Sequence, residues 1–291
     1  MLENARVDEV ALRDLLAPLG ESLIVAGSAP TLKVHIHTAD AAVVRERVAP
    51  LGDVTRLKVD DMSRQHDLLL VDAPTKPFSV FAVVPGDGFA QIARELGADQ
   101  TLVAPANPSV GELVVGANSC LTPRVYLLPN EGDVILAANQ AAALSTREVV
   151  VVPTRDVPAG LSVLLALSTV EGEPPTADAL MQVARSTKSA ALFFAGKDST
   201  LGGVAVTRGE ATAAIDGRLV TGATLSDVAL TAARELGAAD GGALALYFGG
   251  DQTADDAASL AAALSAAYPA AQVECYYGGQ PAKEYVMSID Q

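Results

Sequence analysis

The chain has 291 residues, half of them hydrophobic and 19% charged, and carries 35 Asp and Glu against 20 Lys and Arg for a formal charge of −15. At roughly 150 residues per domain this is enough for about two globular domains with a sizeable core, which excludes a largely disordered chain. The acidic balance disfavours nucleic acid and anionic lipid surfaces. No stretch approaches the ~20 apolar residues of a membrane span, and the opening Leu-Glu-Asn-Ala lacks a signal-peptide pattern, so a soluble cytoplasmic chain is expected. Cys120 and Cys275 lie far apart without C-x-x-C spacing, so no disulfide framework or cysteine zinc knuckle is read from them.

In chain order, hydrophobic periodicity predicts a helix over Val7–Leu16, a strand over Glu21–Ala26, a turn at Gly27–Pro30 and a strand over Leu32–Thr38. A helix over Ala41–Val48, a strand over Val54–Val59 and a short helix from Asp60 toward His66 complete a small α+β domain, residues 1–71. Asp72–Pro77 reads as a linker. From Phe78 a strand, loop and helix rhythm repeats four times, with strands at Val80–Val84, Gln100–Val103, Arg124–Leu128 and Glu148–Val152. Near-continuous apolar strands in that rhythm predict a parallel sheet covered on both faces, with a ligand crevice at the strands' carboxyl ends.

After Glu171–Pro175 the predicted elements are helix Ala177–Ser186, strand Ser189–Ala195, hairpin-like runs Gly203–Arg208 and Ala211–Ile215, and helix Leu225–Leu236. Strand Ala243–Phe248, helix Asp255–Tyr268 and strands Gln272–Tyr276 and Tyr285–Ile289 follow. The expected class is α/β: a small α+β domain, then a larger domain over 78–291 with a mainly parallel sheet and lobes at 78–170 and 171–291.

Candidate site residues follow from position. His35 and His37 stand at i and i+2 on a strand, a spacing that lets two imidazoles converge on one metal, with His66, Asp40, Asp60 and Asp61 as loose further donors. The bland alternative is a pair of solvent-facing histidines. Gly86-Asp87-Gly88 lies where a strand hands over to a helix, so its N–H groups suit a carboxylate or phosphate, or form only a tight turn. Asn107, Ser109 and Asn130 follow predicted strands and serve either as helix caps or as ligand donors. Gly196-Lys197-Asp198 fails as a P-loop, because Ala191 stands at the first glycine and Asp198 at the magnesium-binding hydroxyl. Cys120 has no histidine in its predicted domain to activate it, which argues against nucleophilic thiol catalysis there.

Taken in order, Lys33-Val34-His35-Ile36-His37-Thr38, Asp61-Met62-Ser63-Arg64-Gln65-His66, Val83-Val84-Pro85-Gly86-Asp87-Gly88, Asn107-Pro108-Ser109, Leu127-Leu128-Pro129-Asn130, Val151-Val152-Pro153-Thr154 and Gly278-Gly279-Gln280-Pro281 resemble the fatty acid kinase A-subunit family, the dihydroxyacetone-kinase-like fusion proteins. The resemblance implies a middle domain followed by a C-terminal domain of the DegV and dihydroxyacetone-kinase type. It implies docking of a DegV-type fatty-acid carrier, so that a kinase domain phosphorylates the acyl group in a step of phospholipid metabolism.

The kinase domain is missing from this chain, so no nucleotide is expected, and the chain is read as a piece of a longer protein or the partner of a separate kinase chain. A homodimer is expected. The resemblance also implies zinc on His35 and His37 with an upstream cysteine that has no counterpart here. The family's G-G-Q-T-M is Leu102-Val103-Ala104-Pro105-Ala106 and its L-P-N-N is Leu128-Pro129-Asn130-Glu131. No histidine follows His66, so covalent ketone binding of the dihydroxyacetone-kinase kind is excluded. Two rival readings are a metal-dependent hydrolase centred on His35 and His37, and a small-molecule or lipid sensor using the crevice at Gly86, Asn107 and Asn130.

Overall fold

The computed structural model describes residues 2–7, 9–19, 21–28, 30–38, 41–55, 77–170, 172–201, 203–215 and 217–290. The chain divides into two compact units, Met1–Thr75 and Lys76–Gln291.

In the first unit β1 (Leu2–Glu3), α1 (Glu9–Leu16), β2 (Glu21–Ser28), β3 (Thr31–His37), α2 (Ala41–Val48) and β4 (Asp53–Val54) build a sheet of order β2-β3-β1-β4. β2 and β3 form an antiparallel pair, and Leu2 of the short β1 lies opposite both Leu32 and Val54. Leu2, Leu12, Leu16, Leu32 and Val48 share one small core, which explains why a two-residue strand holds its place. The linker over 72–76, the remainder of the strand expected to Val59 and the helix from Asp60 toward His66 lie outside the described residues.

The second unit opens with β5 (Phe78–Val84), α3 (Asp87–Glu95), β6 (Gln100–Val103), α4 (Val110–Ser119), β7 (Arg124–Leu128), α5 (Ile135–Leu144), β8 (Glu148–Val151), α6 (Val157–Ser168) and α7 (Ala177–Ser186). Its four strands run parallel in the order β6-β5-β7-β8. Every residue of β5 is buried, because this central strand is covered on both faces and so reads as one apolar run.

The rest of the unit comprises β9 (Lys188–Phe194), β10 (Ser199–Leu201), β11 (Val204–Val206), β12 (Ala211–Ile215), β13 (Arg218–Gly222), α8 (Leu225–Leu236), β14 (Gly242–Phe248), α9 (Ala254–Ala267), β15 (Ala271–Tyr277) and β16 (Tyr285–Asp290). Six of these strands form a second sheet, β13-β12-β9-β16-β14-β15, in which only β14 and β15 run parallel. The parallel pattern therefore holds for the first lobe, while the second is mostly antiparallel. Here β10 pairs with β11, and β12 with β13. The expected pairing of Gly203–Arg208 with Ala211–Ile215 gives way to these two hairpins.

Three apolar clusters stack the unit into five layers: α4 and α5, the parallel sheet, the helices α3, α6 and α7, the mixed sheet, and finally α8 and α9. Tyr247 and Val286 of the mixed sheet share the central cluster with Phe78, Tyr126 and Leu164, so the two lobes have one continuous core between them. The carboxyl end of β5 is thereby set beside the loop that joins β15 to β16.

Candidate functional site

The crevice expected at the carboxyl ends of the parallel strands is where two of the sequence-predicted motifs meet. Gly86 caps α3 in an extended conformation and offers no side chain to its free N–H groups. The Phe89 N–H donates instead to the Gly278 carbonyl at 3.0 Å, and the Asp87 carboxylate accepts from the Gly88 N–H at 3.0 Å. A helix start with exposed N–H groups is an anion site in many α/β folds; here one of those groups is met by backbone from the other lobe.

The approach is so close that only glycine fits. A Cβ on Gly86 would overlap the Gly278 carbonyl and lie 2.6 Å from the Gln280 nitrogen, and one on Gly88 would overlap the Tyr277 carbonyl. The β15–β16 loop is itself held firmly: Gly278 and Gly279 both donate to the Phe248 carbonyl, at 2.9 and 3.2 Å. Gly279 has φ +70°, in the left-handed region that glycine tolerates. Desolvation, with the Asp87 carboxylate beside it, raises the Tyr277 phenol above its ordinary value.

Gln280 is buried to 1% exposure and donates from Nε2 to the carbonyls of Tyr247 (3.2 Å) and Lys283 (3.3 Å), while its Oε1 has no partner. The cavity between Asp251, Gln280, Ala282, Lys283 and Glu284 measures about 10 Å³, room for about one water. Lys283 reaches across to Glu131 at 3.3 Å; both side chains are substantially exposed, so the pair is worth at most ~1 kcal/mol.

Asn130 ends the strand before it with φ +55° and is buried. Its N–H donates to the Thr154 hydroxyl at 3.0 Å, that hydroxyl donates to Asn130 Oδ1 at 2.8 Å, and Asn130 Nδ2 donates to the Val83 carbonyl at 2.9 Å. The carboxamide thus ties together the ends of β5, β7 and β8. Ser109 forms a capping box with Glu112 at the start of α4, and those bonds hold the Glu112 carboxyl below its ordinary value. Asn107 is exposed on the loop before it. The structure therefore gathers Gly86, Asp87, Gly88 and Asn130 around the end of β5, whereas Ser109 is engaged at α4.

Asp156, which belongs to none of the motifs above, caps α6 by accepting from the Ala159 N–H at 2.9 Å. Burial raises its carboxyl, outweighing the Ala159 N–H, Ser189 and Lys283, which lower it. The Asp-Val-Pro run at 156–158, an N-cap followed by proline in the first turn, is a helix-start signal that would have found it.

In the first unit β3 places His35 opposite Ile24 and His37 opposite Glu21 in register, and their side chains are outside the described set, as are His66, Asp40, Asp60 and Asp61 altogether. Among the described residues no three His, Cys, Asp or Glu side chains form a metal-binding group. Two histidines fall short of the four donors of a structural zinc site, so no chemistry is derived through a metal.

Family models decide the lineage of this arrangement. Residues 79–290 match the FakA-like C-terminal model, that of the fatty acid kinase A-subunit-like proteins, and residues 1–69 match the FakA-like middle domain. The chain belongs to the FakA-like fatty acid kinase family. Protein YloV of Bacillus subtilis (strain 168) is 27% identical over 299 residues, covering 97% of this chain and 54% of its own length. An uncharacterized protein of Staphylococcus aureus (strain USA300) is 27% identical over 300 residues with the same shares. The chain thus spans about half the length of these curated relatives.

Solved structures of similar fold include the DegV family protein Cg2579 from Corynebacterium glutamicum, with a TM-score of 0.51 at 15% identity, covering 74% of this chain and 98% of that one. DegV of Bacillus subtilis, described as a fatty acid binding protein, gives 0.51 at 11% identity over 73% and 99%. At these identities the likeness is one of fold, and it establishes the DegV-like α/β architecture of this family member. No helix among the described residues is long and apolar enough to cross a membrane.

Proposed function

We propose that this chain is a non-catalytic middle and docking region of a fatty acid kinase, whose C-terminal unit receives a DegV-type fatty-acid carrier while a separate kinase domain phosphorylates the acyl carboxylate. One observation carries the reading: at the crevice where an α/β fold would hold its ligand, the chain's own β15–β16 loop is seated, with the Gly278 carbonyl on the Phe89 N–H and its backbone packed against Gly86. A DegV-like body with that space filled suits recognition of a lipid-loaded partner better than storage of the lipid. The same observation counts against the lipid-sensor reading at Gly86, Asn107 and Asn130. Support for the partner comes from family membership.

The test uses the full chain with a purified DegV-type fatty-acid-binding protein from the same organism, loaded with a long-chain fatty acid. Isothermal titration is expected to give saturable binding, and the chain with ATP, magnesium and loaded carrier is expected to form no acyl phosphate. Absence of binding at ~100 μM of each protein, or acyl phosphate formed by this chain alone, overturns the reading. The expectation of zinc rests on His35 and His37; metal analysis of the purified chain tests it, with less than a tenth of an equivalent, roughly, counting against it.

A further inference from the structure

The two sheets of the C-terminal unit have four edges, and one is unlike the rest. β6 and β8, the edges of the parallel sheet, are four residues each, and Glu148 at the start of β8 is paired with Arg124. At one end of the mixed sheet β13 is five residues long, begins with Arg218 and has the β10–β11 hairpin against it. At the other end β15 runs for seven residues, Ala-Gln-Val-Glu-Cys-Tyr-Tyr, in unbroken register with β14 from Ala271 to Tyr277. It holds no proline, lysine or bulge, devices that keep an edge from pairing, and among the described residues no second strand pairs with it. Its last four residues, Glu274, Cys275, Tyr276 and Tyr277, are all exposed.

One face of this edge is already set for a cation. Gln272, Glu274 and Tyr276 stand at alternate positions and so share a face. Gln272 Nε2 donates to Glu274 Oε1 at 3.3 Å, and the Tyr276 hydroxyl donates to Oε2. Tyr276 is fixed in turn by stacking on Tyr247, with ring centres 5.7 Å apart. The Glu274 carboxylate is thus held by two neutral donors with lone pairs to spare, and among the described residues no Lys or Arg pairs with it. Residues 237–282, which include β14, α9 and β15, hold five acidic side chains and no basic one.

We infer that β15 is a docking edge for an extended segment of another protein that carries Lys or Arg at alternate positions and adds to the mixed sheet as a further strand. The backbone supplies the affinity: an open edge offers a row of N–H and C=O groups that an added strand satisfies whatever its sequence. Charge supplies the choice of partner. A Lys or Arg opposite Glu274 makes a cross-strand ion pair, and the carboxylates around it, in a chain of net charge −15, draw a basic segment and repel an acidic one. Two copies of this chain would bring the same acidic edge together, so the occupant is a different protein. The inference does not depend on which surface receives the carrier, and either reading can fail without the other.

The test uses the full chain and a short fluorescein-labelled peptide of alternating Lys and Thr. Anisotropy titration in ~50 mM salt is expected to give a dissociation constant on the order of 10–100 μM, weakened by ~10-fold or more at ~500 mM salt. Methylating alternate backbone nitrogens of the peptide removes its ladder donors and keeps its charge, and is expected to weaken binding by at least ~10-fold. Hydrogen exchange over residues 272–277 is expected to slow when the peptide is added, while 218–222 at the opposite edge stays unchanged. Glu274→Lys is expected to lower the affinity by at least ~10-fold, and Glu173→Lys, the same change of charge on an exposed loop, by less than ~2-fold. No binding at ~1 mM peptide, equal binding of the methylated peptide, protection at another strand, or an affinity that Glu274→Lys and Glu173→Lys change alike overturns the inference. So does protection of β15 that grows with chain concentration in the absence of peptide, which assigns the edge to a second copy.

Discussion

The carboxamide of Asn130 occupies the space that a side chain at position 160 would need: a Cβ built on Gly160 overlaps Asn130 Oδ1 and lies 2.6 Å from its Cγ. The first turn of α6 therefore rests directly on the polar knot that joins β5, β7 and β8. All six tyrosines lie in the C-terminal unit and the chain has no tryptophan, so tyrosine fluorescence follows that unit alone.

Gly160→Ala is expected to lower the stability of this unit by ~1–3 kcal/mol, because a buried, fully bonded amide must move. Asn130→Ala, which strands the Val83 carbonyl and the Thr154 hydroxyl, is expected to cost ~2–4 kcal/mol. Urea unfolding followed by tyrosine fluorescence checks both. A midpoint within error of the parent for either variant contradicts this account of the knot.

At the meeting of the lobes, Gly86→Ala and Gly88→Ala are expected to displace the β15–β16 loop and cost ~1–3 kcal/mol or more. Gly132→Ala, where an added methyl meets nothing within 4 Å, serves as the control and is expected to be nearly neutral. Hydrogen exchange at the Phe89 amide gives a second measure: its bond to Gly278 should open more often in both crevice variants, and unchanged protection would refute the close approach.

The Asp156 carboxyl titrates above its ordinary 3.8 because burial penalises its charged form. The folded chain then holds this proton more tightly than the unfolded one, so the contribution is fully present below the unfolded value and declines as pH rises through the folded one. Asp156→Asn keeps a cap of equal quality without titrating. Its stability relative to the parent is thus expected to rise as pH increases from the ordinary carboxyl value of 3.8 upward, measured by urea midpoints. A difference that stays flat would show that burial does not govern this group.

The two thiols should separate cleanly. Cys120 is buried, and desolvation, reinforced by Asp99, pushes it up to about 11, while Cys275 is exposed and raised mainly by partial burial. Since the thiolate is the reacting form, a chromogenic disulfide reagent at pH ~8 is expected to label Cys275 in the native chain. Cys120 should react only after unfolding. Rapid labelling of both in the folded state would contradict the burial of Cys120.

Periodicity made much of this fold legible. The α2 boundaries at Ala41 and Val48 and the start and end of β7 are where apolar spacing places them, because packing and propensity agree there. The Gly203–Ile215 region misled for a physical reason: Gly209 has φ +84° and suggests a hairpin turn, yet β12 pairs with β13, which lies beyond Gly217 at φ +77°. In the candidate site, each glycine of Gly86-Asp87-Gly88 and Gly278-Gly279 was visible as a local turn. Their mutual contact was not, since it depends on where two lobes come to rest. Asn130 and Ser109 looked alike as polar residues after strands; only burial tells the internal tie from the exposed cap.

The bond from the Phe89 amide to the Gly278 carbonyl has a wider consequence. It makes the positive pole of α3 a clasp already shut by the chain itself, so an anionic guest arriving at this end of the sheet must outbid a tethered backbone oxygen before it gains a foothold. With glycines on both sides leaving no room for a methyl group, any side chain added at this seam has to push the two halves of the C-terminal unit away from each other.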